Sequence, residues 1–171
     1  SYDALFGGVQ IRNIVNFSMH HNEIYNSPRL TESQMGLSCS NSFSPCSQVI
    51  ALGYLKSGST ISPLDKVYIY SNVIRDSGEP VYGTGIGVNG LTDDHSVYIY
   101  NNLLYNNPWS EIGLQAYDSR VPYPYSRRLV EIFNNTLWHS SNNSTAHYGN
   151  GAISVPNETG NLWSPDEVIV K

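Results

Sequence analysis

Arg75, Asp94, His95 and Glu131 are the side chains of this chain whose types and positions suit general acid–base chemistry. An elimination needs a base that removes a proton beside a carboxylate, and a cation, such as Arg75 or calcium, that neutralises this carboxylate. A hydrolysis needs two carboxylates about 5 to 9 Å apart, and Glu131 and Asp94 are the best placed pair. Asp94 and His95 directly precede a predicted strand, where such residues commonly form turns. A turn therefore remains the competing interpretation of these two residues.

The elements that position these residues come from a motif that the sequence repeats four times. Every copy has apolar residues at its first and third positions and Asn at its sixth. The copies begin at Phe17, Val67, Val97 and Val130. Alternation with a period of two predicts a strand, and the Asn predicts a corner with left-handed backbone, followed by a second short strand. Stacked amides at this corner can hydrogen-bond from copy to copy. The predicted ladder consists of Asn22, Asn72, Asn102 and Asn135.

A shorter repeat, glycine or alanine before a branched apolar residue, predicts a third strand. Its copies lie at 8–11, 36–39, 85–88, 113–116 and 152–155. Because one such coil cannot bury its own apolar face, the coils must stack. The pattern therefore predicts an all-β fold, a right-handed parallel β-helix of about four to six coils. The long gap between Asn22 and Asn72 leaves room for a further turn around 49–52.

The coils form one predicted domain, 1–171, with long loops near 40–64, 76–84, 117–127 and 140–150. The chain opens on a copy of the third strand, and 166–170 resembles the start of another first strand. Both ends are then expected to fall within a coil. This pattern predicts either a segment of a longer β-helix or a unit that associates end to end with its neighbours.

Composition favours a secreted, extracellular protein and disfavours several partners. Only 13% of residues are charged, the net charge is −5, and no apolar run approaches the roughly 20 residues of a membrane span. Because there is neither a basic patch nor a glycine loop that leads into a helix, we expect no nucleic acid or nucleotide ligand. The negative charge disfavours an acidic polymer unless calcium bridges the two, and no other cofactor is predicted.

Several residue patterns concern modification and metal binding. Acceptor sequences for N-glycosylation occur at Asn16, Asn134, Asn142, Asn143 and Asn157. Cys39 and Cys46 are close enough in sequence for a disulfide that pins a loop, but Cys39 also fits a buried apolar position of the third strand. Both interpretations stay open. The histidines lack the spacing of a zinc site, so we interpret them as solvated loop residues and predict no metal site.

Aromatic residues occupy the outward positions of the first strand and of the strand beyond the Asn corner. The predicted columns contain Tyr68, Tyr70, Tyr98, Tyr100, Tyr105 and Trp138. Sugar rings pack their C–H faces on aromatic faces while their hydroxyls bond to polar groups nearby, so a polysaccharide is the predicted ligand. The competing interpretation is that a loop, a partner protein or a neighbouring subunit covers these rings.

The coil repeat resembles that of the right-handed parallel β-helix superfamily, typified by pectate lyases, polygalacturonase-like hydrolases, alginate epimerases and phage tailspikes. The resemblance covers nearly the whole chain and implies a polysaccharide lying along the first-strand face. No catalytic motif of these families can be carried over, because the repeat specifies the fold and not the activity. Two functions are therefore expected. One is a module that binds and processes a polysaccharide as a lyase or hydrolase; the other is a structural or adhesive subunit of an extracellular fibre.

Overall fold

The computed structural model describes residues 9–12, 16–26, 48–53, 66–76, 83–89, 96–108, 110–115, 129–138, 152–154 and 167–171. All regular elements in these residues are β-strands. The described residues include no helix that could cross a membrane. In chain order the strands are β1 (Val9–Arg12), β2 (Phe17–His20), β3 (Glu23–Tyr25), β4 (Gln48–Gly53), β5 (Lys66–Tyr70), β6 (Val73–Arg75), β7 (Thr84–Asn89), β8 (Ser96–Tyr100), β9 (Leu103–Tyr105), β10 (Ser110–Gln115), β11 (Leu129–Phe133), β12 (Thr136–Trp138), β13 (Ile153–Ser154) and β14 (Glu167–Val170).

The strands form three parallel sheets. Sheet A contains β1, β4, β7, β10 and β13; sheet B contains β2, β5, β8, β11 and β14; sheet C contains β3, β6, β9 and β12. The chain visits sheets B, C and A in turn and lays each strand beside the equivalent strand of the preceding round. The predicted all-β, solenoid-like stack of parallel strands is therefore confirmed in the described residues.

Branched apolar side chains fill the interior in columns, as the alternation predicted. Strands β5, β8 and β11 each alternate half-buried and buried residues. The buried columns of sheet B contain Val67, Val97 and Val130, then Ile69, Ile99 and Ile132. Sheet C adds Ile74 and Leu104, and sheet A adds Ile50, Ile86 and Ile112. Burying each such side chain is worth about 1.5 to 3 kcal/mol, and β-branched side chains suit the pleated backbone.

The predicted Asn ladder holds the first corner of each coil, between sheets B and C. The side-chain nitrogens of Asn22, Asn72 and Asn102 each donate to the side-chain oxygen of the next ladder Asn, at 3.0, 3.0 and 2.9 Å. That oxygen also accepts from the backbone nitrogen of the preceding ladder Asn, at 3.0 to 3.1 Å. Asn72 and Asn102 are buried, so this pattern satisfies amides that would otherwise be costly to desolvate.

The sequence predicted left-handed backbone at the ladder Asn, and the structure has it one residue earlier. These left-handed residues have φ between 53° and 57°; they are His21, Ser71, Asn101 and Asn134. A second column, with φ between 51° and 59°, follows sheet C and contains Asn26, Asp76 and Asn106. Asn and Asp tolerate this conformation better than other residues with a Cβ atom because their short side chains bond to the local backbone.

Sheet A has a different register from the one predicted. Strand β4 pairs with β1 and β7, so residues 49–52 form the third strand of their coil rather than a further turn. The copy at 36–39 lies outside the described residues, and Leu52 instead of Cys39 pairs with Val88. Gly113 pairs with Gly87, which shifts the copy at 113–116 by two residues relative to 85–88. A shift of two keeps every side chain on its face, so the apolar pattern did not reveal it.

Candidate functional site

The outward face of sheet B carries aromatic columns on β5 and β8. Tyr68 lies opposite Tyr98, and Tyr70 lies opposite Tyr100. The ring centroids of the first pair are 5.0 Å apart with the planes at 15°, and those of the second pair are 4.9 Å apart at 3°. Parallel strands in register place equivalent side chains about 4.8 Å apart, which is why the rings stack. We refer to these four residues as the tyrosine face.

His20 and Phe133 extend one column of the tyrosine face at its two ends. The His20 ring stacks on Tyr70 with centroids 4.7 Å apart, and the Phe133 ring stacks on Tyr100 at 4.9 Å. Four rings therefore form a continuous stack across β2, β5, β8 and β11. Burial, with smaller contributions from Tyr70 and Tyr68, raises the pKa of Tyr100, so its hydroxyl stays protonated at neutral pH.

Ring stacking decides how the tyrosine face can contact a ligand. Tyr70 and Tyr100 each have an aromatic ring on both sides, so their ring faces are covered. The ring edges and the phenol hydroxyls are the parts left for an outside molecule. In the part of the chain that the structure describes, none of the four phenol hydroxyls has a hydrogen-bond partner. Hydrogen bonding to hydroxyls is thus available there, whereas stacking on Tyr70 or Tyr100 is not.

Two charged side chains flank the Tyr68–Tyr98 column. The Nζ atom of Lys66 lies 5.9 Å from the centre of the Tyr98 ring, within the range of a cation–π contact. Glu131 on β11 lies opposite Tyr98 and is half-buried. The predicted acid–base residues Asp94 and His95 lie outside the described residues, so their pairing with Glu131 stays a prediction.

Arg75 lies beyond the first corner, on sheet C, where carboxylates of its own chain bind it. Its guanidinium contacts Glu23 at 2.9 Å and Asp76 at 2.5 Å, and lies over the ring of Tyr25 at 4.3 Å. The hydrogen bonds with Glu23 and then Asp76 raise the pKa of Arg75. Because two carboxylates compensate its charge, Arg75 would have to leave them before it could neutralise a carboxylate of a substrate. Its catalytic role stays a prediction.

Tyr105 and Trp138 occupy the same column of sheet C as Arg75. Tyr105 is half-buried, whereas Trp138 is 65% exposed and Leu103 beside Tyr105 is 38% exposed. These residues form an apolar surface that the first corner separates from the tyrosine face. The six predicted carbohydrate-binding residues therefore belong to two surfaces with different chemistry, not to one.

The predicted modification sites are described only in part. Asn16 and Asn134 are exposed. The side-chain oxygen of Asn16 accepts a hydrogen bond from the backbone nitrogen of Lys66 at 3.2 Å. Asn142, Asn143, Asn157, Cys39 and Cys46 lie outside the described residues, so their glycosylation and the disulfide stay predictions. Among the described residues no group of three or more His, Cys, Asp or Glu side chains is placed to hold a metal ion.

The interpretation of the histidines as solvated loop residues is wrong for His20. His20 belongs to β2 and packs against Tyr70, and the next residue, His21, forms the left-handed corner. The Nδ1 atoms of these two histidines are 2.7 Å apart. The alternation of the repeat predicts His20 in the same outward column as Tyr70 and Tyr100, and the register of the strands confirms this position.

Sequence reasoning missed a buried polar pair at the second corner, between sheets C and A. Asn107 and Glu111 are both fully buried. The Glu111 carboxylate accepts from the backbone nitrogen of Asn107 at 3.4 Å and from its side-chain nitrogen at a shorter distance. Burial raises the pKa of Glu111 to about 7, although its hydrogen bonds with Asn107 act in the opposite direction. No repeat marks this pair, because serine stands at the equivalent offset in the other coils, at Ser27, Ser77 and Ser140.

Gly85 shows how closely the neighbouring coil approaches this pair. A Cβ atom at Gly85 would lie 2.6 Å from the backbone oxygen of Glu111 and 3.0 Å from the side-chain nitrogen of Asn107. Real Cβ atoms do not approach backbone oxygen so closely. In the sequence Gly83-Thr84-Gly85, the second glycine is therefore the residue type from which a close backbone contact in this region could be predicted.

Comparisons with known proteins gave no match: no family model, no curated protein and no solved structure matches this chain. Function must therefore be argued from the geometry of the two surfaces.

Proposed function

We propose that this chain is a right-handed parallel β-helix module that binds a polysaccharide along the tyrosine face, and that it works outside the cell. The observation that carries the proposal is the set of phenol hydroxyls on two adjacent strands, none with a hydrogen-bond partner among the described residues. Their repeat along the stack follows the spacing between strands, about 4.8 Å. A polymer with regularly repeated hydroxyl groups is the ligand class that matches such an array.

The contact that we propose is edge-on. The faces of Tyr70 and Tyr100 are used within the aromatic stack, so the polysaccharide bonds to hydroxyls, and Lys66 and Glu131 supply further polar groups at the flank. The exposed ring of Trp138, beyond the first corner, offers apolar area for a sugar ring on a second surface.

The sharpest test replaces hydroxyls and keeps the rings. In affinity electrophoresis against a panel of neutral and acidic polysaccharides, we expect the double variant Tyr68→Phe/Tyr98→Phe to weaken binding by at least tenfold, because Phe preserves stacking and removes the donors. Tyr25→Phe is the matched control, because its ring lies under Arg75 on sheet C. Wild-type-like binding by the double variant would exclude the hydroxyl contacts. Absence of binding to every polysaccharide would exclude the function.

Catalysis is a separate question that the same panel addresses. New reducing ends with ultraviolet absorbance would indicate elimination, and reducing ends alone would indicate hydrolysis with Glu131 as the acid. Because carboxylates already compensate Arg75, an elimination needs another cation, and calcium is the candidate. Glu131→Gln keeps a polar side chain at the flank and removes the acid, so it should abolish hydrolysis while the polysaccharide still binds.

A structural subunit of an extracellular fibre is the second candidate, and the aromatic stack favours it. Four stacked rings link one coil to the next, each pair contributing about 0.5 to 1.5 kcal/mol beyond burial. Such a subunit would associate end to end without binding glycans. Sedimentation velocity across a concentration series distinguishes the candidates. The sedimentation coefficient of a fibre subunit rises with concentration as subunits assemble, whereas that of a monomeric binding module does not.

A further inference from the structure

One coil differs from the others at two adjacent positions. The column that contains His20 otherwise contains Tyr70, Tyr100 and Phe133. The left-handed column that contains His21 otherwise contains Ser71, Asn101 and Asn134. Both departures from the repeat introduce imidazole. The repeat itself therefore does not require histidine at either position.

The two imidazole rings converge in a fixed arrangement. Their Nδ1 atoms are 2.7 Å apart, and the rings are nearly perpendicular, at 86°. Tyr70 supports both rings, stacking on His20 at 4.7 Å and meeting the edge of His21 at 6.2 Å. Both histidines are exposed, so an ion can reach them from solvent. Without an ion, one Nδ1 carries a proton and donates it to the other Nδ1, which accepts.

We propose that His20 and His21 chelate a divalent transition-metal ion, Cu²⁺ before others, through their two Nδ1 atoms. With bonds of about 2 Å, nitrogens this far apart would subtend an angle of roughly 80° at the metal. That angle is near the right angle between neighbouring ligands of tetragonal Cu²⁺ or Ni²⁺, and far from the tetrahedral angle of Zn²⁺. Imidazole suits copper, which binds tightest among the divalent first-row metals, and water completes the exposed coordination sphere.

The coil repeat supplies variants that remove each nitrogen without disturbing the fold. His20→Phe places the residue of the equivalent position in β11, and His21→Asn places the residue used at the left-handed corner after β8. The whole chain is titrated with CuCl₂ at pH 7.5 in a non-coordinating buffer, by calorimetry and electron paramagnetic resonance. We expect each variant to lose one equivalent of Cu²⁺, or to bind it at least tenfold more weakly. The electron paramagnetic resonance spectrum should lose the signature of two nitrogen ligands.

Two controls keep the result interpretable. Phe133→Tyr lies at the far end of the same ring stack and leaves both histidines and Tyr70 in place, so its Cu²⁺ binding should equal that of the wild type. The other histidines contribute the same background to every variant. Unchanged copper stoichiometry and affinity in both His20→Phe and His21→Asn would refute the site, and so would loss in only one of them. Tighter binding of Zn²⁺ than of Cu²⁺ would refute the proposed geometry.

Discussion

The first corner, at Asn72, and the second corner, at Asn107, meet the same hydrogen-bonding need in different ways. At the first corner, the side-chain nitrogen of Asn72 donates to the backbone oxygens of Met19, one coil away, and Tyr70, two residues earlier. At the second corner, Asn107 donates in the same pattern, to Ile74 one coil away and Tyr105 two residues earlier. The difference lies in the acceptor that completes each pattern.

The acceptor at the first corner is another Asn, and at the second corner it is a carboxylate. Asn102 accepts from Asn72 and donates onward to Asn135, so the ladder continues through the coils. Ionised Glu111 only accepts, so it closes the pattern within its own coil. An Asn side chain both donates and accepts, so it can continue the hydrogen-bond ladder into the next coil. An ionised carboxylate only accepts, so the ladder ends there. The difference also means that one corner is insensitive to pH and the other is not.

The largest predicted effect comes from breaking the amide ladder in its middle. Asn72→Ala removes the side-chain acceptor of both Asn22 nitrogens and removes the side-chain donor to the carbonyls of Met19 and Tyr70. Because several buried groups lose partners at once, we expect the free energy of unfolding to fall by about 4 kcal/mol. Urea denaturation measures it. Asn22→Ala, at an exposed ladder position, is the control and should cost about 1 kcal/mol. Equal losses in the two variants would mean that burial of the ladder amide adds nothing to its contribution to stability.

The first corner could be predicted from the sequence, and the second could not. A residue that recurs at the same place in every coil, as Asn72 and Asn102 do, indicates both its position and its partners. Asn107 and Glu111, four positions apart, occur in one coil only, because the other coils have serine at the offset of Asn107. The register of sheet A could not be predicted for a related reason, because a shift of two residues leaves the apolar faces of the strands unchanged. Convergence of His20 and His21 depends on ring orientation, which spacing does not determine.

The carboxylate corner predicts a pH dependence that the amide corner lacks. The pKa of Glu111 rises from 4.5 to about 7 on folding, so between these pH values the folded chain holds a proton that the unfolded chain has released. Unfolding then releases a proton, and stability falls as pH rises from about 4.5 to 7, by about 3 kcal/mol in total. Above pH 7 this contribution is constant.

Glu111→Gln tests that dependence. The amide keeps an acceptor for Asn107 and has no charge to bury, so stability at pH 8 should rise by about 3 kcal/mol relative to the wild type. At pH 4 the two proteins should be nearly equal. Urea denaturation from pH 4 to 8 gives the difference curve. A difference independent of pH would show that folding does not shift the pKa of Glu111.

Packing at the second corner can be tested through the glycine beside it. Gly85→Ala places a Cβ atom 2.6 Å from the backbone oxygen of Glu111, so a backbone must move, at a cost of about 2 kcal/mol. Gly113→Ala is the matched control on the neighbouring strand. Its nearest contact would be 3.2 Å, to the Cγ2 atom of Thr84, and it should cost about 1 kcal/mol. Thermal denaturation ranks the two variants. A larger loss in Gly113→Ala than in Gly85→Ala would mean that the backbone at the second corner can move to accommodate the Cβ atom at Gly85.

The smallest predicted effect concerns the half-buried ion pair of Arg75 and Asp76 at the second corner. Asp76 has left-handed backbone, as Asn26 and Asn106 do in their coils, so Asp76→Asn introduces no strain. The amide can still accept from the side-chain nitrogen of Asn106, and Arg75 keeps Glu23. Ion pairs at the protein surface contribute little, and Arg75 keeps its second carboxylate, so we expect a loss below about 0.5 kcal/mol, reduced further by salt. A loss comparable to that of Asn72→Ala would mean that this ion pair stabilises the stack of coils as much as the amide ladder does.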